Sequence, residues 1–337
     1  MTAGRTVSFV VPSNIDDLDR VSGGNVYDRQ LRQGLAARGW SLRMIPTQNG
    51  RSAAEALATV DPGGLLLVDG LVAGWAPDAI EVAAARNPVV VIAHMVSAAF
   101  PGATADLVAA ETRALRAAAM VIATSEWTAR ELVRLGVVTD DRVAVAPPGS
   151  RDATRVSGTD HRALLCVGAI APHKGQDVLL TALGHLADQR WSCTLVGSHA
   201  TDPVYAARIA AAADRLGGRI RMPGVLHGAA LDRAYERAGL LVAPSRVESF
   251  GMAVADARSR GLPVLASAVG GIPESVAGGG ALLVPPGHPR SLADVLGRWL
   301  AEPSLRSRLR HDAERGRTTV VRWADTVDRV DRVLAAL

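Results

Sequence analysis

Cysteine, aromatic residues and lysine are all scarce in this chain of 337 residues. The two cysteines, Cys166 and Cys193, each lie in an apolar, strand-like run, ALLCVG and WSCTLVG. They read as buried small hydrophobes, and no CxxC or zinc-ligand spacing exists. Aromatics make up 4% of the chain, and Ala, Leu and Val fill their place, which suits helices packed on parallel strands. No apolar run reaches the ~18 residues of a membrane span. The N-terminal segment goes straight into a strand pattern, TVSFVVP, without a basic stretch and a long apolar core, so no secretory signal and a cytoplasmic location are expected. Basic residues form no run of the kind that marks a nucleic-acid arm, so no nucleic-acid partner is expected. GxSxG, HExxH and Cys/His clusters are missing, which argues against a serine hydrolase or a zinc enzyme. GxGxxG is missing, against a dehydrogenase, and so is GxxxxGK[ST], against P-loop ATPase or kinase chemistry.

Lysine is the most telling scarcity. Of 37 basic residues a single one, Lys174, is lysine. A coding bias toward arginine explains the imbalance but not the survivor. An ammonium is a compact point charge on a flexible stem, whereas a guanidinium is a planar fork. The formal net charge of +4 reads as a solubility margin. An apolar fraction of 48% and a charged fraction of 21% are those of a globular protein with real cores.

The length suits two domains. Strand candidates at 6–12, 41–46, 64–69, 88–94, 120–124 and 142–146 alternate with helical patterns such as NVYDRQLRQGLAARG and ADLVAAETRALRAAA. The rhythm repeats at 163–168, 192–196, 219–222, 240–243, 263–266 and 281–284, with helices at 176–188, 204–216 and 252–260. Such alternation implies parallel sheets covered on both faces. The Pro/Gly/Ser/Asp-rich stretch 147–160 separates the two rhythms. The expected architecture is α/β, with one Rossmann-like domain over 1–155 and a second over 156–320. Residues 321–337 form a last amphipathic helix from Trp323, whose periodicity requires a packing partner; the N-terminal domain is one candidate.

Rossmann-like domains hold ligands beyond the carboxyl ends of their strands, and two in one chain imply a ligand cleft between them. The unusual residues lie at those strand ends. SGGNVYD (22–28) follows the first strand: Gly23 and Gly24 allow close backbone approach, and a helix start offers free N–H groups to an anion. A tight turn without a ligand fits equally. His94 ends the run VVVIAH, as a structural histidine or beside a ligand. VGAIAPHKGQD (167–177) puts Lys174 in a loop just before a helix, where an ammonium can neutralise a diphosphate. APSRVESFGMAVADARSRGLPV (243–264) is the most informative stretch. Its helix start at Gly251, Met252 and Ala253 can bind a diphosphate, Glu248 can reach sugar hydroxyls, and Asp256 can accept hydrogen bonds from a ribose. Acids that merely favour the positive end of a helix dipole would look the same. Asp17-Leu18-Asp19 has the DxD form of a metal-diphosphate site but reads as a solvated acidic loop, so no metal is assigned.

In combination these segments resemble the family 4 glycosyltransferases, group 1 enzymes of GT-B fold that retain anomeric configuration. The likeness covers nearly the whole chain. SGGNVYD resembles the family's glycine-rich loop, ATSEWTARELVRLGV with VAVAPPGS its approach to the interdomain linker, and LLCVGAIAPHKGQDVLLTAL its phosphate-lysine region. GLLVAPSRVESFGMAVADARSRGLPVLASAVGGIPESV resembles its E-x7-E signature. The order of these segments is far more specific than any one of them.

The resemblance implies that Lys174 contacts the donor diphosphate and Glu248 the sugar hydroxyls. Phe250, Gly251 and Met252 supply backbone N–H groups, and Asp256 holds the ribose. His94 lies beside the transferred sugar, Gly23 and Gly24 close over the phosphates, and the base rests against the loop around Gly224 and Val225. Two departures stand out. Ala169 occupies a position where the family often has an arginine paired with the lysine, and Asp256 replaces the second glutamate.

The implied activity is metal-independent hexosyl transfer from a nucleotide sugar, UDP ahead of GDP, to a hydroxyl on a small molecule, glycan or lipid. No cofactor is expected, the nucleotide sugar being a co-substrate. A sugar-nucleotide 2-epimerase and a non-catalytic nucleotide-sugar-binding homologue share the architecture. Arg29, Arg32, Arg38, Arg113 and Arg116 could face anionic headgroups at a membrane surface, although solvated helix faces are the favoured reading.

Overall fold

The computed structural model describes residues 5–19, 22–151, 153–156 and 160–337. Among them the strands and helices alternate through two units, one made of 1–17, 23–149 and 321–337, the other of 18–22 and 150–320.

The first unit contains β1 (Thr6–Pro12), α1 (Gly23–Ala37), β2 (Ser41–Thr47), α2 (Gly50–Ala58), β3 (Leu66–Asp69), α3 (Gly70–Trp75), α4 (Pro77–Ala84), β4 (Val89–Ala93), α5 (Ala105–Ala117), β5 (Met120–Ala123), α6 (Glu126–Arg134) and β6 (Val143–Val145). Its six strands pair in the order β2-β1-β3-β4-β5-β6, and every pairing is parallel. β3 and β4 are buried along their whole length. Strands buried on both faces carry continuous apolar runs rather than alternation, as VVVIA in β4 does.

The second unit contains β7 (Ala163–Val167), α7 (Gln176–Gly184), β8 (Ser192–Val196), α8 (Pro203–Asp214), β9 (Ile220–Gly224), α9 (Gly228–Arg237), β10 (Leu240–Ala243), α10 (Met252–Ser259), β11 (Val264–Ser267), α11 (Ile272–Ser275), β12 (Ala281–Val284), α12 (Pro289–Ala301) and α13 (Pro303–Gly316). Its order is β12-β11-β10-β7-β8-β9, again wholly parallel. Trp299 on α12, fully buried, packs with Leu164, Leu179 and Leu183 on one face of this sheet. Tyr235, Val254 and Ile272 cover the other. The buried, free thiols of Cys166 and Cys193 lie on neighbouring strands, and burial pushes the Cys166 thiol up to about 12.

The final helix, α14 (Trp323–Ala335), returns to the first unit. Val327, Val330 and Leu334 pack with Tyr27, Leu31 and Leu35 of α1. These positions recur at helical spacing on both helices, so each buries one apolar stripe against the other. A Cβ at Gly34 would stand 2.4 Å from Val327 Cγ2, so the absence of a side chain there sets the closeness of the pair.

The five arginines considered for a membrane surface are each committed within the first unit. Arg32 forms a bidentate pair with Asp16 at 2.8 Å. Arg29 donates to Ile15 O and Arg116 to Gly136 O. Arg38 pairs with Asp328, and Arg113 with Asp78 and Glu81. No helix among the described residues is long and apolar enough to cross a membrane.

Candidate active site

In an open parallel sheet, ligands gather where the strand order reverses, because the loops leaving the two central strands diverge to opposite faces and open a crevice. In the second unit the reversal falls between β7 and β10. The loop after β7 carries Lys174 and the loop after β10 carries Glu248. The structure brings them into contact: Lys174 Nζ donates to Glu248 Oε2 at 2.6 Å, with the side chains 25% and 16% exposed. Ser245 Oγ stands 3.4 Å from the same oxygen.

The backbone explains the meeting. After β7 the chain makes a short 3-10 turn over Pro172–Lys174, then Gly175 takes a left-handed φ of +69° and starts α7. A Cβ at Gly175 would stand 2.1 Å from Pro244 O, so the two loops touch backbone to backbone. Arg246 N–H donates to His173 O at 2.7 Å. The Arg246 guanidinium donates to Pro172 O and makes a bidentate pair with Asp177 at 2.7 and 2.8 Å. Tyr205 completes the staple by donating to Asp177 Oδ1. Burial alone would raise the Asp177 carboxyl, but Arg246 and Tyr205 hold it below its ordinary value. Burial, with help from Lys174, pushes the His173 imidazole down to about 4, so it stays neutral beside the ammonium.

Glu248 is supported from below. Gly270 adopts φ +57°, and a Cβ there would stand 1.7 Å from Glu248 O; Gly271 N–H donates to that carbonyl at 3.0 Å. Beyond Phe250, which is buried, Gly251 caps α10 without any side-chain hydrogen bond. The first-turn N–H groups at Met252 and Ala253 are thus left to an anion. One turn on, the half-buried Asp256 is pushed up to about 6 by burial, against the pull of Arg260. Arg260 Nη1 lies 3.9 Å from Asp256 Oδ1, and its Nη2 pairs with Asp232 at 2.6 Å. Gly224 ends β9, and the half-buried Val225 follows in the loop to α9.

Ala169 leaves no side-chain cation beside Lys174 on the β7 loop, and Arg246 is spent on Asp177. On the β7 loop and at the start of α10, the positive charge offered to a diphosphate is that of Lys174 and the helix amides. An ammonium has three N–H donors, so Lys174 can hold Glu248 and still donate twice.

In the first unit the order reverses between β1 and β3. Gly23 and Gly24 form the first turn of α1 rather than a loop preceding it. A Cβ on Gly24 would stand 3.2 Å from His94 Cδ2. His94 follows β4, and its Nε2 lies 3.1 Å from Asp28 Oδ1 and 3.2 Å from Asp69 Oδ2. The Tyr27 ring meets the imidazole edge to face at 5.2 Å. Asp28 and Asp69 were not singled out by sequence reasoning, and neither were Ser245, Arg246, Asp177 and Gly270. Among the described residues Asp28, Asp69 and His94 form the one group of three whose ligand atoms all lie within 4.8 Å. Asp17 and Asp19 lie outside it, in the turn after β1.

Residues 150–316 match the family model described as glycosyl transferases group 1. Over 221 residues the chain is 32% identical to the D-inositol 3-phosphate glycosyltransferase of Xylanimonas cellulosilytica, an alignment covering 59% of this chain and 52% of that protein. Over 225 residues it is 36% identical to the enzyme of the same name from Streptomyces scabiei, covering 59% and 50%. The chain thus spans about half the length of the curated relatives it matches. Among solved structures, sucrose-phosphate synthase from Thermosynechococcus elongatus superposes with a TM-score of 0.85 over 98% of both chains, at 22% identity. Anabaena HepE in complex with UDP and glucose superposes with a TM-score of 0.78 over 99% of this chain and 100% of its own, at 18% identity. The paired Rossmann-like units are those of the GT-B fold.

Proposed function

We propose that this chain, whose residues 150–316 match the family model described as glycosyl transferases group 1, transfers a glycosyl group from a nucleoside diphosphate sugar to a hydroxyl acceptor, retaining anomeric configuration and needing no metal. UDP is the favoured nucleotide, with GDP behind it, and the UDP and glucose bound by HepE support that choice. The observation that carries the reading is the Lys174–Glu248 pair at the β7/β10 reversal, next to the uncapped start of α10.

The division of labour in this reading is supported by the placement of these groups. The diphosphate lies on the Met252 and Ala253 amides and on Lys174, where its charge grows as the anomeric C–O bond to phosphate breaks. Glu248 accepts hydrogen bonds from sugar hydroxyls, and Asp256 from the ribose. The acceptor oxygen bonds to the anomeric carbon on the face the phosphate leaves. Its proton passes to the departing phosphate oxygen, so no protein nucleophile is required.

A thermal-shift series with UDP, GDP, ADP and dTDP in EDTA should show the largest stabilisation by UDP. With the matching nucleotide sugar and no acceptor, the donor should remain unchanged apart from slow hydrolysis. Isomerised nucleotide sugar would make the chain an epimerase, and binding without transfer to any acceptor would make it a non-catalytic homologue.

Asp256 predicts a pH signature. A carboxyl raised to about 6 by burial is ionised, and accepts two ribose hydrogen bonds, only above that pH. The donor KM should rise by about tenfold as pH falls from 7 to 5, since one unit below its pKa roughly one-tenth of a carboxyl is ionised. The kcat should change little. Asp256→Asn should show a raised KM that no longer responds to pH over that range, as steady-state kinetics would reveal.

A further inference from the structure

The first unit holds a buried cluster that the donor chemistry above leaves unused. Asp28 sits on α1, Asp69 ends β3 and His94 follows β4. Their side chains are 0%, 4% and 14% exposed. Both carboxylates converge on one nitrogen, Nε2, at 3.1 and 3.2 Å. An imidazole nitrogen carries at most one proton, so a single donor faces two acids. Asp69 has further support: its Oδ1 accepts the Leu71 and Val72 N–H groups at 2.7 and 3.3 Å. Asp28 has none: its Oδ1 faces His94, and its Oδ2 is buried with no partner. A buried carboxylate oxygen without a donor is costly when charged.

We propose that this cluster binds one divalent cation of borderline softness, of the zinc type, through His94 Nε2, Asp69 Oδ2 and the Asp28 carboxylate. Zinc holds nitrogen at ~2.0–2.1 Å and carboxylate oxygen at ~2.0–2.2 Å in a tetrahedron, which sets neighbouring ligand atoms about 3.3 Å apart. The distances of 3.1 and 3.2 Å from Nε2 agree with that spacing. One ligand atom from each residue lies within 4.8 Å of the other two. The orphaned second oxygen of Asp28 supplies a fourth donor atom.

Charge and ligand chemistry point the same way. Two carboxylates, a neutral imidazole and a dication sum to zero. Uptake of the ion displaces the Nε2 proton to solvent and leaves the ring proton on Nδ1. Imidazole suits zinc, nickel and copper, whereas magnesium and calcium take shells of oxygen. The ligands are also held from outside. The Leu71 and Val72 amides fix Asp69, and the Tyr27 ring meets the imidazole edge to face at 5.2 Å. Tyr27 itself is no ligand, since its hydroxyl donates to Ala146 O at 2.9 Å. The ion would tie α1 to the ends of β3 and β4 within the first unit, and it takes no part in the transfer step proposed above.

The test uses the full chain, stripped with a chelator and dialysed, with zinc chloride as the probe and no nucleotide. Equilibrium dialysis should find one zinc per chain, with a Kd on the order of a micromolar or below. Free zinc at about 100 times Kd should raise the melting temperature by roughly 5–10 °C. Asp28→Asn, Asp69→Asn and His94→Gln should each weaken binding by at least about 100-fold, beyond the loss typical of an outer-shell change. A chain carrying Asp17→Asn and Asp19→Asn together should bind as wild type does, and excess magnesium or calcium should not compete. One readout needs no variant: cadmium-113 bound to wild type labelled with nitrogen-15 histidine should couple to a single imidazole nitrogen. The absence of stoichiometric zinc would overturn the proposal and leave the cluster to protons alone. A bound ion with no histidine nitrogen in its shell would also overturn it, as would undiminished affinity in the folded variants. No donor or acceptor enters these measurements, so their failure leaves the transferase reading untouched.

Discussion

Lys174→Ala should lower glycosyl transfer by about 10²–10³ in kcat at saturating donor, the loss found when one preorganised donor to a developing oxyanion is removed. The effect should reach the upper end of that range because the chain has no second lysine and places Ala169 where an arginine could have shared the charge. Arg246 cannot take over without releasing Asp177, to which it is bound twice. Lys174→Arg should rescue little: a planar fork in place of a point charge cannot both keep the 2.6 Å contact to Glu248 and point at a phosphate. Glu248→Ala should also cost orders of magnitude, with the loss shared between KM and kcat, since sugar hydroxyls are held in the ground state and in the transition state. Neither residue is in an apolar core, so both variants should melt close to wild type. Near-normal turnover in either purified, folded variant would refute the assigned roles.

The fold was legible because strands buried on both faces must be written as apolar runs, and VVVIA and LLCV cannot be hidden among amphipathic helices. Strand order was not legible, and the site depends on it. Lys174 and Glu248 are 74 residues apart, and only the insertion of β10 beside β7 makes their loops neighbours. The same reason hid Asp28 and Asp69. Asp28 looks like an ordinary polar residue of an amphipathic helix and Asp69 like a cap, until the adjacency of β1, β3 and β4 turns both toward His94. Helix ends were blurred by tertiary packing. The apolar pattern runs to 188, but α7 stops at Gly184, and Leu186 and Trp191 continue the pattern because they pack into the core from the following turn. Gly23 and Gly24 open α1, but what requires a glycine at 24 was not legible: a Cβ there would crowd His94, which lies 70 residues further along the chain.

Gly175→Ala should damage the proposed site as much as loss of Lys174, through geometry instead of charge. An alanine there must adopt φ +69°, which costs about 1–3 kcal/mol outside glycine. Its Cβ would also meet Pro244 O at 2.1 Å, a backbone atom that cannot rotate away. Overpacking of this kind adds roughly 1–3 kcal/mol. The relief available is to part the β7 and β10 loops, and that parting separates Lys174 from Glu248 and strains the Arg246–Asp177 staple. At about 2–4 °C per kcal/mol for a unit of this size, the melting temperature should fall by roughly 5–20 °C. Donor affinity should drop at least tenfold even well below that temperature. A control separates the two effects: Gly184→Ala, in the same helix where an added Cβ meets nothing within 4 Å, should keep both stability and donor binding. If Gly175→Ala binds donor as wild type does, measured calorimetrically, then the close approach of the two loops is not what builds the site.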